Sequence, residues 1–453
     1  MDGSVDFFPF LGFLAVGKHR QILLEHIRQS DQHTLAGYES RGGFAGARKA
    51  LGMDPLAVIE EVKKSGLRGR GGAGFPAGQK WSFVPRNTGK PTYIVCNADE
   101  SEPGTFKDRL LLEKNPHAII EGMIVAAWAV QSHWMSVYIR GEYAFPYTRL
   151  KRAVEECYAK GYLGDNAFGT GYKLDLVVHR GAGAYICGEE TGLLESLEGK
   201  KGQPRLKPPY FPATMGLYYS PTILNNVETY ATVPWILANG GEAYATIGTE
   251  KSKGTKLFSA SGHINKPGVY EIEMGYPFKQ FLEEECGGIR NGRKLKAVIP
   301  GGSSVPIVRA EDIETATMDY EGWNKLGTFL GSGGVIVMDD TVDMVDAILN
   351  LTHFYAHESC GQCTPCREGG HWVEKVFKRI ADGQGVPGDL ELLETVVNQI
   401  AGHTICFLGD SIAMPVKSFT TKFRDEFTAR IMEGVEGKRV VRDRLNAQLG
   451  DHH

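Results

Sequence analysis

Four cysteines supply the clearest chemistry in this sequence. Cys360, Cys363 and Cys366 stand at C-x2-C-x2-C spacing, and Cys406 follows much later in Thr-Ile-Cys-Phe-Leu-Gly. Tetrathiolate zinc sites usually come as two separated C-x2-C pairs, and mixed sites add histidine. Three close thiolates with a distant fourth suit a [4Fe–4S] cubane, in which each sulfur takes one iron. A zinc site of four thiolates is the alternative. Cys96, Cys157, Cys187 and Cys286 stand alone and read as reduced core or loop thiols. That grouping points to metal in a reducing compartment.

The second feature is the stretch from Gly66 to Trp81, with six glycines, three cations and two aromatics. Glycine lets backbone N–H groups approach an anion closely, and Arg68, Arg70 and Lys80 add positive charge. Glycines 69, 71 and 74 fit G-x-G-x-x-G, but a dinucleotide fingerprint follows a strand and opens a helix. The segment before this loop reads as a helix instead. Asp54 can cap it, Pro55 suits its first position, Leu56, Ile59 and Val62 keep an apolar stripe, and Gly66 can end it. A mobile surface loop is the plain alternative, yet such loops rarely carry Phe75, Lys80, Trp81 and Phe83. A phosphate-bearing cofactor is the reading preferred.

Three further polar loops need elements to hold them. Thr92–Cys96 reads as a buried strand delivering Asn97, Asp99, Glu100 and Glu102, and ligands favour the carboxyl ends of such strands. Capping of the next helix is the competing account of those acids. Ser136–Arg140 and Lys173–His179 are further strands, and the second leads to Tyr185, Gly188, Glu189 and Glu190 at a helix start. There the glutamates could be dipole complements only. Arg205–Pro212 is a proline-stiffened segment with Lys207, Tyr210 and Phe211, and Asn225, Asn226, Glu228 and Thr229 open another helix. Beyond a Lys/Ser/Gly linker near residue 251, Lys256–Ser261 and Val269–Met274 form a predicted hairpin in a small α+β unit with no evident catalytic group. From Val342 the pattern is helical.

Length sets the frame: 453 residues suit two to four domains with substantial cores. A net charge of −4 excludes a general polyanion-binding surface. No run of eighteen apolar residues occurs, so no membrane-spanning helix is expected. Residues 7–16 are apolar but have acids before and bases after, the wrong order for a secretory signal, and read as an arm packed on this chain or a partner. A cubane beside an anion loop suggests a one-electron carrier next to a two-electron carrier. Hydride transfer needs a held cofactor rather than a protein acid or base, and no Ser–His–Asp or Cys–His arrangement competes.

Taken together, Leu67-Arg-Gly-Arg-Gly-Gly-Ala-Gly-Phe-Pro, Cys96-Asn-Ala-Asp-Glu-Ser-Glu-Pro-Gly-Thr, Gly183-Ala-Tyr-Ile-Cys-Gly-Glu-Glu-Thr, Asn225-Asn-Val-Glu-Thr and Glu358-Ser-Cys-Gly-Gln-Cys-Thr-Pro-Cys-Arg-Glu-Gly resemble one family over roughly residues 30–435. It is the NADH-oxidising flavoprotein subunit of respiratory complex I, NADH:quinone oxidoreductase. The resemblance implies FMN, NADH as substrate and one [4Fe–4S] cluster. It implies an α/β flavin-binding domain at 31–250 after an arm at 1–30, an α+β ubiquitin-like β-grasp domain at 251–335, an all-α helical bundle carrying the cluster at 336–440, and a tail at 441–453. Carried over by motif, Gly69, Arg70, Gly71, Lys80, Asn97, Asp99, Glu100, Tyr185, Gly188, Glu189, Asn225, Asn226 and Thr229 would hold FMN. Glu102 and Glu190 would stand near polar groups of NADH, Lys207 near its pyrophosphate, and Phe75 and Phe83 on its adenine with Tyr210 or Phe211.

The implied partners are a thioredoxin-like [2Fe–2S] subunit and a large iron–sulfur subunit, in the peripheral arm on the cytoplasmic side of the inner membrane. Two departures from the family pattern stand out: two adjacent aromatics, Tyr210-Phe211, where one is usual, and Gln362 where Lys is frequent. The same module serving as diaphorase of an NAD-linked hydrogenase or formate dehydrogenase is the second reading, and a non-catalytic zinc scaffold the third.

Overall fold

The computed structural model describes residues 19–450, so the apolar stretch expected to form an N-terminal arm lies outside the described residues, as do 451–453. Just after it, the backbone N–H groups of Ile22, Leu23 and Leu24 each donate to the buried Glu271 carboxylate at 2.9 Å. This fastens the N-terminal segment to the second sheet.

Helix Pro55–Ser65 forms as its termini dictate. The Asp54 carboxylate accepts from Leu56 N, Pro55 occupies the first turn, and Gly66 closes the helix at φ 65°, a conformation costly for any residue with a Cβ. Of the expected stripe Ile59 and Val62 are buried, joined by Val58, whereas Leu56 faces outward, 54% exposed. Ahead of this helix, residues 21–34 are turns, and the short helices Leu35–Ser40 and Ala45–Leu51 lie on either side of Gly42 and Gly43.

The first sheet has the order β3-β4-β2-β1-β5. It comprises β1 (Tyr93–Ala98), β2 (Trp134–Ile139), β3 (Gly164–Ala167), β4 (Tyr172–Arg180) and β5 (Thr222–Asn226). All neighbours are parallel except the edge pair β3–β4. Alternation along each strand sends side chains to two different cores. Ile94, Cys96, Met135, Val137 and Ile223 enter one core, with helices Pro116–Val130 and Val227–Asn239. Val95, Tyr138 and Leu224 enter another, shared with Ile299 of the next unit and with Met344 and Ile348 of the helical region. Both faces of the sheet are therefore covered, as a parallel sheet requires. Strands β3 and β5 carry no strand signal in the sequence. The first is Gly-Asp-Asn-Ala, and the second has too few apolar residues to display a period.

The second sheet has the order β7-β6-β10-β8-β9. Its strands are β6 (Thr255–Gly262), β7 (Gly268–Glu273), β8 (Leu295–Ile299), β9 (Val308–Arg309) and β10 (Gly334–Asp339). The expected hairpin is β6–β7, antiparallel. Central β10 runs parallel to β6 and antiparallel to β8. Helices Met344–Glu358, Thr364–Ala381, Asp389–Ile400, Leu408–Lys422 and Arg424–Gly450 follow, the last continuing past residue 441. Among the described residues no helix is long and apolar enough to cross a membrane.

One crossing in the first core leaves no room for a side chain. A Cβ on Gly122 would lie 1.9 Å from the Tyr230 carbonyl oxygen, on the helix packed against it. Gly122→Ala should force those helices apart, with overpacking costing about 1–3 kcal/mol or more. Thermal unfolding should show a clearly lower Tm; an unchanged Tm would contradict this contact.

Candidate functional site

The carboxyl ends of β1, β2, β4 and β5 lie along one edge of the first sheet. Along the chain the strands step from β1 outward to β2 and β4, whereas β5 sits on the other side of β1. Such a reversal opens a crevice beyond the strand ends. Asn97 and Asn226 are the last register pair of β1 and β5, and both line a cleft of about 700 Å³ at that point. This volume falls within the range of small-molecule and cofactor sites.

The glycine loop closes one side of the cleft as an ordered turn. Gly69 N donates to Phe75 O and Ala77 N to Leu67 O, each at 2.8 Å, folding the loop back on itself. Thr229 Oγ1 accepts from Arg70 N at 2.9 Å, and Tyr320 OH donates to Gly69 O at 2.8 Å. Arg68 stacks over the Tyr320 ring at 3.8 Å and pairs with Glu321 at 2.8 Å. Gly71 passes so close to Asn226 that a Cβ would stand 3.0 Å from that residue's Cβ. Gly72, at φ 139°, lines the cleft, and a Cβ there would find only Gly331 at 4.0 Å. A side chain at Gly72 would thus fill cleft rather than protein, which is the fit expected of a backbone cradle for a cofactor.

Gly71, Asn97, Asp99, Glu100, Glu102, Tyr185, Gly188, Glu189, Asn226 and Cys406 all line this cleft. Their roles differ. Glu100 is spent on helix Lys107–Lys114: its carboxylate accepts from Asp108 N (2.8 Å), Arg109 N and Tyr143 OH (both 2.9 Å). For Glu100 the capping account prevails. Glu102 accepts from Tyr185 OH at 2.6 Å and from Ser304 N at 2.7 Å, and Ser303 Oγ stands 3.4 Å from it. Ser303 also meets Tyr355 OH at 2.5 Å, so this carboxylate joins the first sheet, the second unit and the helical region. Asp99 accepts from the Ser101 hydroxyl, and burial pushes its carboxyl up to about 7, against the pull of Ser101 and Arg140.

Other expected residues stand behind or beside the cleft. Arg70 does not offer its charge to it: the guanidinium is fully buried at the junction of the two sheets, donating to Tyr244 OH (3.1 Å), Lys253 O (2.8 Å) and Thr255 O (2.9 Å). All three bonds come from Nη2, while Nε and Nη1 are buried without a partner, a fate that sequence charge cannot reveal. Thr229 holds the loop as described, and Asn225 turns inward, its amide facing Trp81 Nε1 at 2.9 Å. Beside the cleft-lining Glu189, Lys207 Nζ bridges Glu189 (2.9 Å) and Glu190 (2.7 Å), while Lys80 Nζ donates to Leu224 O at 2.8 Å and meets Glu190 at 3.4 Å. Burial works against the Glu190 charge, but Lys80 and Lys207 prevail and hold its carboxyl below the usual range. Glu189 caps helix Glu190–Leu197 through Thr191 N and Gly192 N at 2.8 Å. Phe75 and Phe83 form an exposed pair with centroids 6.0 Å apart. Tyr210 packs on Tyr219 at 6.0 Å, whereas Phe211 is 51% exposed.

Two groups were not anticipated. Lys107 and Asp108 line the cleft although almost wholly buried. The second unit, expected to lack site residues, supplies a wall through Gly301, Ser304, Phe329, Gly331 and Ser332. The Gly-Gly-Ser-Ser and Gly-Ser-Gly-Gly runs were visible, but they resemble ordinary turns.

The cysteines gather beside the same cleft. Cys363 caps helix Thr364–Ala381, with Pro365 in its first turn, and Cys406 stands just before Leu408–Lys422. Burial raises the Cys366 and Cys406 thiols to about 11 and about 12, and charges on neighbouring cysteines add to the effect. Cys366 lies near Cys363 and Cys360, and Cys406 near Glu189, Cys366 and Cys360, so Cys406 joins the group through Cys360 and Cys366. Ser359 Oγ lies 3.2 Å from Cys366 Sγ. Zinc requires its sulfurs about 2.3 Å from one point. Among the described residues no three His, Cys, Asp or Glu side chains converge in that way. A cubane places its ligands on separate irons and fits this looser gathering.

Comparison with known proteins agrees with this geometry. The family model described as the Nuo51 FMN-binding domain matches residues 62–235. An SLBB domain matches 256–337, and the NADH-ubiquinone oxidoreductase-F iron-sulfur binding region matches 346–430. The second NADH-quinone oxidoreductase F subunit of Rhizobium meliloti (strain 1021) is 51% identical over 413 residues, covering 91% of this chain and 98% of that protein. The chain belongs to the family of NADH-quinone oxidoreductase F subunits. The F subunit of Rickettsia bellii (strain OSU 85-389) is 49% identical over 415 residues, 91% of this chain and 99% of its own. Among solved structures, an NAD+-reducing [NiFe]-hydrogenase in the H2-reduced state superimposes with a TM-score of 0.79 at 34% identity, covering 91% of this chain and 67% of that one.

For this member of the family, the raised Asp99 carboxyl has a measurable consequence. An acid held above its ordinary value favours the folded state while protonated, and that contribution is lost as pH rises through the folded value, here about 7. Asp99→Asn, which cannot ionise, should therefore raise Tm relative to the parent more at pH 8 than at pH 5. Equal differences at the two pH values would mean that Asp99 titrates normally.

Proposed function

We propose that this chain oxidises NADH and delivers the electrons to partner iron–sulfur subunits, towards quinone, as part of respiratory complex I. When bound, FMN accepts a hydride from NADH and a [4Fe–4S] cluster carries the electrons onward singly. The observation that carries this reading is the shared cleft: Cys406 lines the same cavity as the glycine loop, Asn97 and Asn226. A donor held there stands next to a ligand of the cluster, with no intervening domain to cross.

The chain's own groups then divide the work. Gly71 and Gly72 let the backbone close on the flavin, while Asn97, which donates to Gly188 O and accepts from Asp99 N, and Asn226, which donates to Asp108 and caps the helix at Glu228 N, fix the shape of the wall at the strand ends. Gly69, Arg70, Asn225 and Thr229 act one step back, holding loop and strand in register. Tyr185, Gly188 and Asp99 complete the flavin wall, Glu100 fixes the helix beside it, and Glu102 aims the Tyr185 hydroxyl. Lys80, Lys207, Glu189 and Glu190 form a charge array beside the cleft suited to the pyrophosphate and ribose of NADH. Phe75 and Phe83 offer one apolar wall for adenine; with Tyr210 packed on Tyr219, the exposed Phe211 is the better candidate for the opposite wall. Cys360, Cys363, Cys366 and Cys406 ligate the cluster.

The three-part arrangement supports a flavin-binding α/β domain, a β-grasp unit and a helical cluster domain. Identity of about half the residues with the two bacterial F subunits, over 98–99% of those proteins, favours complex I over the hydrogenase context, where identity is 34%. The partners in this reading are a thioredoxin-like [2Fe–2S] subunit and a large iron–sulfur subunit, on the cytoplasmic side of the inner membrane.

Cys406→Ala should remove or degrade the cluster while FMN stays bound. NADH-to-ferricyanide activity, drawn directly from flavin, should survive while transfer to the native acceptor fails. Four irons per chain and an unchanged EPR signal in that variant would rule out Cys406 as a ligand.

Glu190 generates the second test. Opposed to the 2′-phosphate of NADPH at ~4 Å and an effective dielectric of ~20, its charge would cost about 4 kcal/mol per charge pair. Lys80 and Lys207 offset part of this, and each ~1.4 kcal/mol is tenfold in affinity. Glu190→Gln should thus raise the NADPH-to-NADH ratio of kcat/KM about tenfold or more. An unaltered ratio in a fully flavinated variant would leave Glu190 as a helix-end charge only.

A further inference from the structure

Lys107 is an improbable residue to find where it is. It is 1% exposed, yet it lines the cleft, at the start of the helix that follows the Asn97–Thr105 loop. Its ammonium lies 2.7 Å from Glu228, 2.8 Å from Asp108 and 3.5 Å from Asn226 Oδ1. Asn226 in turn donates to Asp108 at 2.6 Å. Burial opposes the charge, but Asp108, Glu228 and Glu100 outweigh it and hold the Lys107 ammonium above its ordinary value. A buried lysine kept charged is therefore built into the floor of a cofactor cleft. None of the sequence motifs assigns it a task, and because apolar packing of the same volume is often as stabilising as a buried ion pair, stability alone does not account for the choice of a lysine.

Resting on the FMN reading above, we propose that the Lys107 ammonium is a fixed positive charge, additional to Arg68 in the cleft wall, that stabilises the reduced flavin over the oxidised one, with its partners Glu228 and Asp108 setting how much of that charge the cleft feels. Hydride transfer leaves two electrons and one proton on the flavin, a net gain of one negative charge. A cation at the cleft floor binds that form more tightly than the neutral ring of the oxidised form, and the difference is a higher midpoint potential. Lys256, the other lysine of the network, lies behind Glu228 at 3.4 Å and off the cleft, so it cannot substitute at equal strength.

The test uses the purified chain with both cofactors and two variants of opposite sign. FMN content is measured first by extraction; a parent chain without FMN would overturn the function reading itself. Spectroelectrochemical titration of the flavin then gives its midpoint potential, and fluorescence quenching gives the affinity for oxidised FMN. Lys107→Gln should weaken binding of reduced relative to oxidised FMN at least tenfold, a fall of about 30 mV for a two-electron couple. Asp108→Asn should raise the potential, and Lys107→Arg should restore it towards the parent value. A purely structural lysine predicts equal loss of both redox forms and no shift in potential, and that result in a flavin-loaded variant overturns the proposal. If Lys107→Gln does not accumulate folded, Asp108→Asn decides alone: an unchanged or lowered potential refutes it.

Discussion

Glu228 is the residue on which the architecture turns. Wholly buried in the first turn of helix Val227–Asn239, it meets Lys107 at 2.7 Å and Lys256 at 3.4 Å, and accepts from Leu257 N at 2.8 Å. One carboxylate thus fastens the helix beside the cleft, the helix after β5 and the first strand of the second sheet. Taking such charges out of water costs several kcal/mol per ion, so they persist only while every partner is in place. Removing one strands the others, at about 3–5 kcal/mol. Burial of the Lys256 ammonium, together with repulsion from Lys107 and Arg70, brings its pKa down to about 7 despite the attraction of Glu228. The network is dense enough in positive charge that its members compete for the available anions.

Much of this was legible in the chain. The capped helix ending at Gly66, the buried strand Tyr93–Ala98, the β6–β7 hairpin and the switch to helices near residue 342 all follow from end chemistry and periodicity. The gathering of the four cysteines follows from thiol spacing. What the sequence concealed were pairings between distant segments. Gly-Asp-Asn-Ala becomes a strand only because β4 offers an edge, and β10 is identified by two strands far away in the chain.

The fate of individual charges was equally hidden. Arg70, Lys80 and Arg68 look alike in the glycine loop, yet the first is buried against the carbonyls of Lys253 and Thr255, the second pairs with Glu190 and the third stacks on Tyr320 in the cleft wall. Glu100 and Glu102 are two residues apart, and the first caps a helix while the second bonds to the neighbouring unit. Which role a carboxylate takes depends on donors brought by other segments. The Gly/Ser turns at 301–304 and 331–334 became cleft wall for the same reason.

The Glu102 junction has a consequence for the chain as an inherited object. Because Tyr185, Ser303, Ser304 and Tyr355 converge there from three regions, the cleft has no owner among them. A gene fragment ending before residue 251 would encode the glycine loop but neither the far wall nor any of the four grouped thiols. A cleft walled in this way is complete only when all three regions are present together. The hydrogenase chain that superimposes here matches across all three regions, over 91% of this chain.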